Sequence, residues 1–146
     1  VMYREMYVPR MERFLLPVKS HGNYLMLHTA GKVDSLMPML QGLGFDGIHP
    51  VAPEVNDIEV LDKLRNKRFV LAGQIPNSLL YFEERKDIES YIERLSSFAD
   101  TAGGYIFSTS GPLHEGISVE AFINLTHAIH NHGQFKTSGA FAAHEE

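Results

Sequence analysis

From Met2 to Lys19 apolar residues recur at three- and four-residue spacing: Tyr3, Met6 or Tyr7, Met11, Phe14 and Leu15. That period predicts a helix. Pro9 should kink it or begin its second piece, and His21-Gly22-Asn23 should end it. Tyr24 to His28 is a short continuous apolar run, the pattern of a strand buried on both faces. Asp34 can cap a helix to about Gln41, closed by Gly42 and Gly44, with Pro38 shortening or kinking it. Phe45 to His49 reads as a second strand. Asn56 or Asp57 caps a helix from about Ile58 to Arg65, and Arg68 to Gly73 is a third strand. Pro76 to Phe82 reads as a loop with a helical turn. Asp87 can cap a helix from Ile88 to about Asp100, ended by Gly103-Gly104 and presenting Ile88, Tyr91, Ile92, Leu95 and Phe98 on one face. Tyr105-Ile106-Phe107 starts a fourth strand. Ser118 caps a last helix, Val119 to His132, closed by Gly133. Residues 134–146 mix small and polar types and are expected to be poorly ordered.

Alternating strands and helices imply parallel strands with right-handed crossovers. A full (β/α)8 barrel needs roughly 250 residues, and this chain has 146. Each strand turns polar at its C-terminal end, at His28, His49, Gln74 and Ser108-Thr109-Ser110. Parallel α/β folds carry their sites on that edge, although exposed strand ends are polar in any case.

Composition narrows the function. Apolar residues make up 44% and charged residues 21%, with a net charge of −5. That balance excludes a basic footprint for nucleic acid. No run of about 18 apolar residues suggests a membrane span. The chain has no cysteine, so disulfides, thiolate nucleophiles and cysteine metal sites are all absent. No basic segment followed by an apolar run marks a signal peptide, and the default compartment is the cytoplasm. Val1 falls inside an amphipathic pattern, which reads as the start of a fragment.

Leu27-His28-Thr29-Ala30-Gly31-Lys32-Val33 resembles the segment after the fifth strand in the uroporphyrinogen decarboxylase superfamily. Gly44 to Ile48 with Glu54 and Asn56-Asp57, then Val70 to Ile75, Gly103 to Ser108 and Val119 to Phe122, are similar to the units that follow. The resemblance runs from about Tyr3 to His132. It implies an α/β fold that is the C-terminal half of a (β/α)8 barrel, with four parallel strands and outer helices, over residues 1–133. It also implies two chemistries. Decarboxylases of the family act on a tetrapyrrole without metal or cofactor. They hold it with N-terminal arginines and an aspartate, outside this chain, and with a histidine after the last strand. The position of that histidine falls at Gly111 or Pro112, with His114 a few residues later. The corrinoid-dependent methyltransferase branch binds zinc through a His-x-Cys-Gly segment and a second cysteine, and works with a corrinoid protein as partner. Here His28 is kept, but Ala30 stands at the first cysteine and Ser110 to Pro112 supply no second one. His28, Glu54, Asp57 and His114 are the residues from which an oxygen–nitrogen metal site could be assembled.

The candidate site is therefore His28 and His114 as catalytic residues, with His49, Glu54, Asp57, Gln74, Ser108 and Ser110 as substrate contacts. Simpler roles compete. His28 and His49 could only order the rim, Asp57 could only cap a helix, and Gln74 could tie two loops together. His127, His130 and His132 read as solvated residues of an outer helix, and the methionines as core filler. An isolated half-barrel leaves two sheet edges and an apolar concave face uncovered. A two-fold dimer is the simplest cover. Three functions stay open: a methyltransferase-like protein without the zinc cysteines, a tetrapyrrole decarboxylase, and a non-catalytic or truncated binding module. In either enzymatic case this chain alone is expected to be inactive.

Overall fold

The computed structural model describes residues 3–82, 84–102 and 104–133. The expected tail, 134–146, lies outside them. The chain divides into two compact units, one within residues 1–76 and 104–112, the other within 77–103 and 113–146.

The first unit opens with a π-helical turn, Tyr3–Tyr7, and helix α1, Val8–Ser20. Pro9 sits in the first turn of α1, where its missing N–H costs nothing. It thus begins the second piece of the helix. Strand β1, Met26–His28, is shorter than expected and is not buried on both faces. Among the described residues it pairs only with β2, and Tyr24 before it and Met26 within it are exposed. A 3-10 turn, Asp34–Leu36, leads into α2, Met37–Leu43. Asp34 does not cap α2. It lies inside the turn, bonded to the Ser35 N–H and paired with Lys32. Gly44 ends α2 in the left-handed conformation at φ 82°, while Gly42 belongs to the helix. Strand β2, Gly47–Val51, continues past His49 through a cis His49–Pro50 bond. Helix α3, Ile58–Leu64, starts at Asp57, whose carboxylate accepts the Glu59 and Val60 N–H groups. Strand β3, Val70–Ile75, starts and ends two residues later than expected, and β4, Tyr105–Thr109, runs past its apolar start.

The four strands form one parallel sheet in sequence order, β1-β2-β3-β4. This is the α/β architecture of half a (β/α)8 barrel. Ile48, Val51, Leu71 and Ile75 from the strands, and Met37, Leu40 and Leu61 from the helices, are essentially fully buried. β1 and β4 are its outer strands among the described residues, and Ile106 on β4 is exposed. Met37 fills the core as expected of a methionine, but Met6 is exposed.

The second unit holds α4, Leu79–Phe82, α5, Arg85–Ala102, and α6, Val119–His132. α5 begins a turn earlier than Asp87 suggested. Asp87 accepts the Glu84 N–H at 3.2 Å, so it is the third residue of the helix reaching back to the cap. Ser118 caps α6 by accepting the Ala121 N–H, and Gly133 follows its end. Ile88, Ile92 and Leu95 on α5, and Leu125 and Ala128 on α6, are buried. His127, His130 and His132 are exposed on α6. Among the described residues no helix is long and apolar enough to cross a membrane.

Candidate functional site

Parallel pairing puts the strand ends on one edge. His28 is in register with His49, and Gln74 with Ser108. The two histidines meet directly: their Nδ1 atoms are 3.0 Å apart and their ring centroids 5.0 Å. The other ring nitrogen of His49, Nε2, lies 2.9 Å from Ser108 Oγ. Three strands thus contribute one continuous hydrogen-bonded line, Ser108–His49–His28. His28, on the outer strand, is exposed, while His49 and Ser108 are half-buried.

Two amides hold the loops above this line. Asn56 is 5% exposed; its Oδ1 accepts the Val33 N–H at 3.0 Å and its Nδ2 donates to Gly31 O at 3.1 Å. It fixes the loop that follows His28. Gln74 is a non-glycine residue at φ 68°, and its Nε2 donates to Val51 O at 3.1 Å and Asn56 O at 3.2 Å. Gln74 therefore ties loops together, the second of its two sequence readings, and its amide nitrogen is committed to that. Asn56 was visible in the sequence only as one of two adjacent cap candidates. Asp57 takes the cap, which frees its neighbour for the loop.

Ser110 donates to Glu54 at 3.5 Å, a long contact across the same rim. Glu54, Asp57 and Gln74, with Lys32, Asp34 and Glu59, line a hollow of about 600 Å³. Four carboxylates face one ammonium there, so the hollow is acidic. His114 belongs to the second unit. Its Nδ1 accepts the Gly116 N–H at 3.1 Å, which leaves Nε2–H to donate to the Tyr81 hydroxyl. The sequence groups His114 with His28 as a catalytic candidate; the bonds of His114 run to Tyr81 and Gly116. Among the described residues no three His, Asp or Glu side chains are grouped to hold a metal ion, so the set His28, Glu54, Asp57 and His114 is not assembled.

Burial, and after it the neighbouring charge of His28, hold the His49 imidazole below the ordinary histidine value of 6.5. Between its folded and unfolded pKa values the unfolded chain binds more protons, so stability rises with pH across that window. The contribution is full above the unfolded value and is lost as pH falls through the folded one. The melting temperature is therefore expected to drop as pH falls below the ordinary value of 6.5, and His49→Gln should flatten that part of the profile in a thermal-denaturation series.

A parallel sheet with polar strand ends on one edge defines the class: an α/β half-barrel, a fold that carries its sites at the carboxyl ends of the strands. The chain belongs to the uroporphyrinogen decarboxylase (URO-D) family, whose model matches residues 1–132. Among solved structures, a methyltransferase from Methanosarcina mazei is similar, with a TM-score of 0.67 and 16% identity. The match covers 88% of this chain and 36% of that one, so the chain spans little more than a third of its structural relative. At that identity the likeness concerns the fold. No curated protein matches the chain.

Zinc, which the methyltransferase branch implies, does not fit the residues present. Ala30 stands two residues after His28 where a thiolate would be needed, the sequence has no cysteine, and the second nitrogen beside His28 belongs to His49, already bonded to Ser108. A structural or catalytic zinc takes three or four protein ligands.

Proposed function

We propose that the chain is the C-terminal half of the barrel of a methyltransferase-like protein of the URO-D family, which exchanges a methyl group with a corrinoid at the rim carrying His28. The acidic hollow carries this reading. A uroporphyrinogen bears several carboxylates on its rim and would be repelled by Asp34, Glu54, Asp57 and Glu59. The amide-decorated edge of a corrinoid is uncharged and can donate N–H groups to the same carboxylates. The fold likeness to a methyltransferase, and His28 in the segment that resembles the branch's ligand segment, lean the same way. Without the cysteines, activation of a thiol by zinc is not part of the proposal, and the methyl acceptor differs accordingly. A second copy of the chain, related by a two-fold axis, is the proposed cover for the β1 and β4 edges.

The test is a pair of absorbance titrations of the 146-residue chain, one with methylcobalamin and one with uroporphyrin. The corrinoid is expected to bind more tightly by about tenfold or more, since one good charged hydrogen bond is worth that much. The reverse order would replace this reading with the decarboxylase. Binding of neither would leave a scaffold module without the family's ligand.

A further inference from the structure

We propose that Ser108, His49 and His28 form a proton relay across the rim, carrying a proton between a substrate at the Ser108 hydroxyl and water at the exposed Nε2 of His28. The inference rests on the reading of this rim as the reacting edge.

The geometry supplies two complete hydrogen-bond arrangements for the same three side chains. In one, Ser108 donates its O–H to His49 Nε2, His49 Nδ1–H donates to His28 Nδ1, and His28 carries its proton on Nε2. In the other, His28 Nδ1–H donates to His49 Nδ1, and His49 Nε2–H donates to Ser108 Oγ. The contacts of 3.0 Å and 2.9 Å suit both. Passing one proton converts the first into the second. The substrate's proton goes to Ser108 Oγ while the Ser108 proton moves to His49 Nε2. The His49 Nδ1 proton moves to His28 Nδ1, and the His28 Nε2 proton leaves to water. One proton enters, one leaves, and no member ends charged. Methyl transfer to an X–H acceptor releases one proton, and decarboxylation consumes one, so either chemistry of this family needs such a path.

Three further observations fit. No carboxylate or ammonium is hydrogen-bonded to these three side chains among the described residues, and the further contact of Ser108 Oγ, to Thr109 O, is long at 3.4 Å, so neither tautomer is fixed by a charge. The Nε2 atom of His28 has no hydrogen-bond partner among the described residues, and His28 is exposed. β3 runs between the strands that carry His49 and Ser108, and Gly73 on it has no side chain.

The relay can be read without substrate, so its failure is distinct from failure of the corrinoid titration. The measurement is the rate at which the His49 ring N–H exchanges with water, from nitrogen-selected NMR spectra of the full chain. If protons leave through His28, His28→Gln slows that exchange by about tenfold or more, whereas Ser108→Ala leaves it within about twofold. A static bond behaves otherwise: cutting it opens His49 to solvent, and exchange stays the same or speeds up in His28→Gln. That result, or equal slowing in both variants, overturns the relay. His28→Asn serves if the glutamine variant loses its backbone spectrum.

Discussion

Gly73→Ala is expected to destabilise the protein by about 3 kcal/mol or more, the largest single effect on the rim. Gly73 has φ 134°, a conformation that L side chains rarely adopt. A β-carbon there would lie 2.5 Å from Val51 N and 3.1 Å from Val51 O. Those are backbone atoms of the paired strand, in register with Gly73, and they cannot retreat without opening the β2–β3 ladder. The next residue, Gln74, is also at positive φ, and its amide holds Val51 and Asn56. The damage should therefore spread to the loop after His28. Urea denaturation would show a lower midpoint with an unchanged slope. A loss below about 0.5 kcal/mol would mean that the strand end relaxes freely.

Arg65→Met should cost about 3 kcal/mol through a different mechanism. Arg65 is buried and pairs with Asp62 at 2.7 Å. It also donates to Phe69 O and, at 2.9 Å, to Gly104 O. One guanidinium thus joins the end of α3 to the residues that enter β3 and β4. Methionine fills much of the volume but leaves the two carbonyls without this donor and Asp62 with only the exposed Lys67. Burial by itself raises the Asp62 pKa, but bonds from Arg65 and Lys67 outweigh it and hold the carboxyl below its usual value. That stabilisation is present above the ordinary value of 3.8 and is lost as pH falls through the folded pKa. In Arg65→Met the acid limb of the stability curve should shrink along with the midpoint, and a full-sized acid limb would show that Lys67 alone carries the effect.

The order of elements was legible because each has its own period. The 3.6-residue spacing marked α1, α5 and α6, and short apolar runs between glycines marked the strands. Ser118 and Asp57 act as the caps their positions announced. Edge position was not legible. Tyr24 and Leu25 belong to the apolar run of β1, yet the ladder starts at Met26, because nothing pairs with the outer side of that strand among the described residues. The strand-end histidines and Ser108 could be named from the sequence as separate candidates. Their joining into one line could not, since it depends on the register of β1 with β2 and on the reach of His49 to a strand two places away. Asn56 and Arg65 were missed as organisers for the same reason: each acts through backbone carbonyls and N–H groups distant in sequence, which carry no side-chain signature.

The most direct test of the rim as the functional edge is the methylcobalamin titration repeated on His28→Ala and on His127→Ala. His127 is an exposed histidine on the outer helix α6 and serves as the control. His28→Ala, which removes the His28–His49 contact that orders the rim, is expected to weaken corrinoid binding by about fivefold or more, while His127→Ala leaves it unchanged. Equal affinities in the wild type and His28→Ala, with the corrinoid bound, would contradict it and move the site away from the strand ends.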